Sequence, residues 1–508
     1  MKKLFAIATL IAGTLMMVSC SDDDGGTSVD APEVTAPGAA DVTTGQSIEL
    51  SFNYNAVGGF AASAVAATGG TASVTTDGEA GATSGTITVT FEAGDEGAGS
   101  VVLTVTDAEG NADDATVVLT IVAEDVTPVI TVRGNIETNT TWTADNIYQL
   151  DTRVTVVDGV TLTIEPGTVI KGNEGQGAAA TALLVARGGM LMAEGTAELP
   201  IIFTSVNDPI DPSDIAAGNY ASTTSPTTAG EWGGVIILGN AQISVQNDND
   251  EDVTEVQIEG IPASDPNGLY GGTDNADNSG VITYISIRHG GTNIGAGNEI
   301  NGLTLGGVGS GTTISNVEVV ANADDGIEWF GGNVSVDNVV IWNSNDDSMD
   351  TDQDWVGTCS NFIIVTPVTG SAFELDGPEG SLNRGTHQFT NGVVYAGAEI
   401  DHIIDWDGST NAGVSDVYFF GLTDGAGNIE SYGGDGTGVN TGWETDLADA
   451  GTYFLDDDDA DSATPSIALP SGVVTYGVAV GSKTKGPSAA DFAWTWAGNS
   501  GALADLGL

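Results

Sequence analysis

The sequence predicts an all-β chain in two parts, a β-sandwich of about 90 residues followed by a long β-solenoid. Three observations lead there. Short runs alternate apolar with polar residues, as strands do, and no convincing amphipathic helix interrupts them. Gly-rich turns separate the runs, with 72 Gly in 508 residues. The third observation selects a solenoid over other all-β architectures: a corner-forming residue recurs at Asn316, Asn338, Asn361 and Asn391, with Asp416 as a fifth copy, at intervals of 22, 23, 30 and 25 residues. That period fits one solenoid turn with loops of varied length at its corners. Asn suits such a corner because its short side chain tolerates the left-handed conformation and bonds to the backbone or to an identical Asn in the next coil. Length alone favours at least two domains, since single cores stop growing at roughly 250–300 residues.

At the N-terminus, Lys2 and Lys3 precede the apolar stretch "LFAIATLIAGTLMMV", which is shorter than a usual membrane span and ends at "MVSC". This resembles a bacterial lipoprotein signal, with residues 1–19 as the signal peptide and Cys20 as the residue that takes the lipid. An ordinary secretory signal ending in Cys is the alternative. The "SDDDGG" that follows resembles the acidic export tag of Bacteroidetes surface lipoproteins. The resemblance implies a lipid-anchored protein of the outer membrane facing the cell exterior. Residues 20–35 then form a polar, acidic tether.

Residues 36–124 are read as an immunoglobulin-like sandwich. "SIELSFNYNA" and "GTITVTFEA" alternate, and "SVVLTVTDAEGNADDATVVLTIV" reads as two strands around a turn. The expected role is a spacer, with carbohydrate binding as the alternative. The solenoid is placed at 130–480. "VTVVDGVTLTIEPGTVIKG" puts Val160, Leu162 and Ile164 on one strand face before a Pro-Gly turn, and "LPSGVVTYGVAVGS" reads as the last strands. Residues 481–508, with "SAADFAWTWAGNSGALADL", are expected to cap the open end of the stack with short helices. The segments "TWTADNIYQLDTRVTVVDGVTLTIEPGTVIKG", "GEWGGVIILGNA", "YISIRHGG" and "DDGIEWFGG" resemble bacterial right-handed parallel β-helix surface proteins common in Bacteroidetes, a pectin-lyase-like solenoid. The resemblance runs from about residue 130 to the end, and its motifs are structural rather than catalytic.

Composition narrows the partners. Ten Lys plus Arg face 71 Asp plus Glu, for a formal charge of −61. Such a surface repels nucleic acid, anionic lipid headgroups and polyuronates, which need basic residues to bind. With Cys20 lipidated only Cys359 remains, so no intrachain disulfide forms, and Cys359 in "GTCSNFIIV" reads as a packing residue.

The acids are not scattered. Asp324-Asp325 and Asp346-Asp347 lie 22 residues apart. With the coils aligned, Ile327 and Trp329 point inward while Glu328 and Phe330 point outward. Met349 and Thr351 then face in with Asp350 and Asp352 out; Phe373 and Leu375 in with Glu374 and Asp376 out; Ile404 and Trp406 in with Asp405 and Asp407 out. Neighbouring parallel strands lie about 4.8 Å apart, so these columns hold like charges close together, with repulsion on the order of 1–4 kcal/mol per pair. Bulk salt, a shared proton or a bound cation would relieve it. Calcium suits hard oxygen ligands from flexible positions, and the candidate ligands are Asp324, Asp325, Asp346, Asp347, Asp350, Asp352, Asp376, Asp405 and Asp407. A solvated acidic face is the competing reading.

Catalysis is the third reading, with Asp350, Glu374, Asp376 and Asp405 as candidate acids, since carboxylates on adjoining coils approach the roughly 5 Å separation of retaining glycosidases. A uronate lyase would need cationic clamps, and the region offers Arg288 and Arg384 without a nearby Lys. His289, His387 and His402 fall in strand-like stretches and are expected to be structural. "NDNDEDVTE" from Asn247 has a calcium-loop flavour without EF-hand spacing. It sits in the second of two long insertions, 207–231 and about 246–280, where recognition often resides. Phe330 and Tyr395 are candidate outward aromatics for sugar stacking. The functional expectation is a cell-surface lipoprotein with a binding, structural or adhesion role toward glycan or another surface protein, stiffened by calcium. The alternative is a polysaccharide-degrading glycoside hydrolase or lyase.

Overall fold

The computed structural model describes residues 29–123, 127–262, 264–293, 300–366, 369–396, 402–406, 410–420, 483 and 485–508; Cys20, Asp407 and the "LPSGVVTYGVAVGS" segment lie outside them. The chain divides into two compact units between Val126 and Thr127.

In the first unit two four-stranded sheets enclose one core. One sheet has the order Glu33–Thr35, Ser47–Asn55, Ser84–Ala93, Gly70–Thr76 and is antiparallel throughout. The other has the order Ala40–Thr43, Ala112–Val122, Gly97–Asp107, Phe60–Thr68, and its first pair is parallel. Alternation sorts the faces: Leu50, Phe52 and Tyr54 are buried while Ser51 and Asn53 are exposed. Val101, Leu103 and Val105 join the same core from the second sheet. The "DAEGN" turn closes because Asp107 accepts from both the backbone and the side-chain amide of Asn111.

The second unit is a parallel β-helix. An early coil uses three short strands, Thr161–Ile164, Val169–Gly172 and Leu183–Val185, with the expected Pro-Gly turn between the first two. Later coils fuse the first two into one long strand, such as Thr313–Val320, Val336–Trp342 or Thr358–Thr366, each pairing parallel with the next. The bend inside each long strand is the recurring corner. Asn316, Asn338, Asn361, Asn391 and Asp416 all have φ between 54° and 59°, the left-handed region that Asn and Asp tolerate best. Asn391 Nδ2 donates to Asn361 Oδ1 at 2.5 Å, and Asn361 Nδ2 donates to Asp337 Oδ1 at 2.6 Å. Tyr284, φ 51°, holds the same corner one coil before Asn316; an aromatic residue gives no sequence signal for that conformation.

The opposite wall is an eight-stranded parallel sheet: Val154–Val156, Leu183–Val185, Val235–Leu238, Leu303–Gly306, Ile327–Phe330, Met349–Asp352, Ser371–Leu375 and His402–Trp406. Between the walls lies one apolar core in which Trp329 stacks on Trp355 at 4.6 Å and Phe362, Phe373 and Phe389 pack together. Cys359 is fully buried in it, as a packing residue should be.

The C-terminal helices do not cap an open end, which corrects the expectation for 481–508. The described part, including Trp496–Asn499 and Ala502–Asp505, lies along the flank of the long-strand sheet. Phe492, Ala497 and Leu503 cover Val340, Ile363 and Val365, while Trp496 covers Val320 and Ala321. The reason is local: the outward face of these strands is apolar and needs cover, and a buried acid waits there. Glu318, fully buried, accepts the backbone N–H groups of Trp496 and Ala497 at 2.9 Å each. Arg288 lies beside Glu318 and beneath the Trp496 ring. Tyr395 packs under the same strap, so it offers no free ring to a sugar.

Because the Asn corner supplies both a rare backbone angle and a bond to the next coil, Asn361→Ala is expected to lower unfolding stability by about 1–2 kcal/mol, and Asn361→Gly by less. Urea denaturation of the two variants checks the order; equal losses would remove the left-handed angle from the explanation.

Candidate functional site

The outward face of the eight-stranded wall carries the acids. The backbone register aligns Thr304, Glu328, Asp350, Glu374 and Asp405 in one column across successive coils. Their neighbours Ile327, Trp329, Met349, Phe373, Leu375 and Ile404 belong to the core, so the inward set is as expected wherever side chains are described. Three residues before this column runs a second one at the corner, Asn301, Asp325, Asp347 and Ser371. The acids of this corner column bind the backbone of the following coil. Asp325 Oδ1 accepts the Asp347 N–H at 2.9 Å, and Asp347 Oδ1 accepts the Ser371 N–H at 2.5 Å.

At Asp325, Glu328 and Asp350 the ladder is not the freely solvated face that one reading anticipated. Asp325, Glu328 and Asp350 are each less than a tenth exposed. The insertion beyond Gln242 folds over this wall: Ile243, Val245, Ile258, Ile261 and Tyr270 pack with Phe330. Phe330 is therefore covered, contrary to its expected role as a sugar platform. Arg153 holds Asp265 at 2.8 Å, and Arg187 holds Glu255 at 2.7 Å and the Gly271 carbonyl at 2.8 Å, pinning the insertion to early coils. The "NDNDEDVTE" stretch is the tip of a small hairpin; Asn247 Oδ1 accepts the N–H groups of Asn249 and Glu251, closing a turn rather than a calcium loop.

Burial governs the charges. It pushes the carboxyls of Asp325, Glu328 and Asp350 well above the usual carboxylate range, and repulsion among the three adds to the effect. Asp352 is pushed up likewise by burial and then by Glu379. Glu374 is pushed up to about 10, by burial first and then by its contact with Asp347. Elsewhere buried acids have cations: Arg384 holds Asp354 at 2.9 Å, and Arg288 serves both Glu318 and Asp208.

Of the sequence candidates, the structure groups Asp324, Asp325 and Asp346 at the rim, with ligand atoms within 4.8 Å of one another, and groups Asp325 and Asp350 with Glu328 in the interior at the same spacing. Asp347 is turned to its backbone partner, and Asp352 Oδ1 accepts the Gln353 N–H at 2.7 Å. Asp376 and Asp405 stay partly accessible, as does Glu374. Glu328 belongs to the outward face in the sequence pattern but not to the expected ligand set. Asn301 is absent from both: it holds the position of Asp325 one coil earlier, and its Nδ2 donates to Glu328 Oε2. Extending the register back through "NGLTLGG" is the signal that finds it. The histidines split. His289 is buried with Nδ1 2.6 Å from the Thr228 carbonyl, and burial holds His387 down to about 3. Both are structural, while the side chain of His402 lies outside the described ones.

The family description "Pectate-lyase like beta helix domain" matches residues 134–404, more than half of the chain. No curated protein matches. Among solved structures, a point mutant of the SrpA adhesin from Streptococcus sanguinis is similar at 18% identity and a TM-score of 0.17, over 19% of this chain and 61% of the adhesin chain, less than two thirds of it. A family 28 exopolygalacturonase from Yersinia enterocolitica is similar at 10% identity and a TM-score of 0.21, over 77% of this chain and 79% of that one.

A raised carboxyl pKa means that the folded state holds a proton the unfolded state has released. The associated stability is fully present below the unfolded value near ~4.3 and is lost as pH rises toward the folded value. In chelator, the melting temperature is therefore expected to fall between about pH 5 and pH 9, and Glu374→Gln should flatten that slope. A thermal melt at each pH tests this; a rise with pH would contradict it.

Proposed function

This chain belongs to the pectate-lyase-like β-helix family, and from that membership we propose a polysaccharide-directed surface protein that binds neutral glycan without cleaving it. The observation that carries the non-catalytic reading is enclosure: Asp325, Glu328 and Asp350 are each less than a tenth exposed, beneath the insertion, where a sugar ring does not reach them. A glycosidase needs two carboxyls that both reach the scissile bond. Neutral glycan follows from the −61 charge, which repels polyuronates. A surface protein is the other class of partner, and nucleic acid is excluded on the same electrostatic ground.

The placement at the cell surface rests on sequence. Lys2, Lys3, the apolar stretch and Cys20 support a signal peptide over 1–19 and lipidation at Cys20, and "SDDDGG" supports export to the outer face of the outer membrane in a Bacteroidetes-type lipoprotein. Residues 20–35 serve as tether and the sandwich, read as immunoglobulin-like, as spacer.

A second reading has one observation in its favour. Glu374 and Asp405 sit in direct register on adjoining coils and both remain partly accessible, with Asp376 beside them. A glycoside hydrolase would work there.

Two measurements test these readings. The mature protein should bind members of a neutral-glycan array and release no oligosaccharide from them; release that disappears in Glu374→Gln or Asp405→Asn would move the function to hydrolysis. Cys20→Ala should abolish metabolic lipid labelling and shift the protein out of the membrane fraction. Continued labelling would contradict the anchor.

A further inference from the structure

We propose that Asp325, Glu328, Asp350 and the side-chain oxygen of Asn301 form an enclosed calcium site that ties three successive coils of the β-helix together. This stands independently of any glycan reading. Three observations converge on it, of which the acidic cluster is only the first. Asp325, Glu328 and Asp350 offer carboxylate oxygens that lie within 4.8 Å of one another, all three buried. An ion with oxygen ligands at about 2.3–2.6 Å spans such a set.

The second observation is unmet bonding capacity. Asp350 Oδ1 is buried and has no hydrogen-bond partner, and Asn301 Oδ1, in a residue only 1% exposed, has none either. Buried polar atoms are almost always satisfied, so an unmet carboxylate oxygen within this cluster points to a missing ligand. Asn301 donates through Nδ2 to Glu328; a half-turn of its amide exchanges nitrogen for oxygen and presents the orphan Oδ1 instead. The switch suits a cation, which takes the oxygen and leaves the nitrogen free to turn away.

The third is the distribution of positive charge. Among the described residues, cationic side chains reach Asp151, Asp208, Asp265, Glu255, Glu318, Asp354 and Asp416, and none reaches the three acids of the site. Three carboxylates in one enclosed place with no cationic side chain are stable only when protonated or bound to a metal ion. Hard oxygen ligands held on three coils, one of them a neutral amide, favour calcium over magnesium, which demands near-ideal octahedral geometry.

The test uses the full mature chain, stripped with chelator and returned to calcium alone in about 150 mM potassium chloride, an ionic strength that screens the exposed acids. Calcium is expected to raise the melting temperature by about 5 °C or more, and magnesium at the same concentration by less than half as much. The double variant Glu328→Gln, Asp350→Asn should lose the calcium response and, in chelator, melt above the wild type, because it no longer buries two repelling acids. That inverse pattern separates a lost site from a damaged fold. As a second variant, Asn301→Asp should melt below the wild type in chelator and regain more on adding calcium. A wild type that ignores calcium, a response that survives in the double variant, or an equal response to magnesium would each overturn the proposal.

Discussion

In-register stacking of parallel coils is the constraint on which the rest of this structure depends. When each strand lies over the equivalent strand of the next coil, about 4.8 Å away, every position of the sequence is placed against its own repeat. Favourable repeats compound: Asn361 bonds to Asn391, and Ile327, Met349 and Phe373 stack in one inward column. Unfavourable repeats compound as well. Glu328, Asp350, Glu374 and Asp405 meet as a column of like charge, and the register that aligns the core residues leaves them no means of separating.

Two kinds of acid therefore need to be distinguished. At the corner, Asp325 and Asp347 accept backbone N–H groups of the following coil, so carboxylates there terminate one turn and begin the next. On the strand itself the backbone donors are engaged in the sheet, and the acids face each other and the insertion above. The few cations among the described residues are placed elsewhere. Arg153 and Arg187 fasten the insertion, and Arg288 sits beneath Trp496 on the opposite flank. The charge problem of the ladder is thus left for something other than a side chain to solve.

Much of this was legible in the residues. The Asn period marks the coils, since few residue types tolerate φ near 57°, and the alternation through "GIEWF", "SMDTD" and "AFELD" sorts the inward and outward sets. Three features were not legible, each for a physical reason. Burial of the ladder depends on an insertion from about Gln242 onward, whose fold over a distant strand leaves no periodic trace. The flank position of the C-terminal helices depends on Glu318 and Arg288, two charged residues whose pairing is set by tertiary packing. Tyr284 takes the left-handed corner against its own preference, held in contact with Trp494. Asn301, by contrast, was within reach, because it needed only one more coil of the same alignment.

The enclosed acids hold either a metal ion or protons. A crystal structure of the mature protein grown in calcium, with anomalous diffraction collected to locate the ion, decides this most directly. A single peak at about 2.3–2.6 Å from oxygens of Asp325, Glu328, Asp350 and Asn301 is the expected result. Absence of that peak, with short carboxyl–carboxyl contacts between Glu328 and Asp350 in its place, would contradict it.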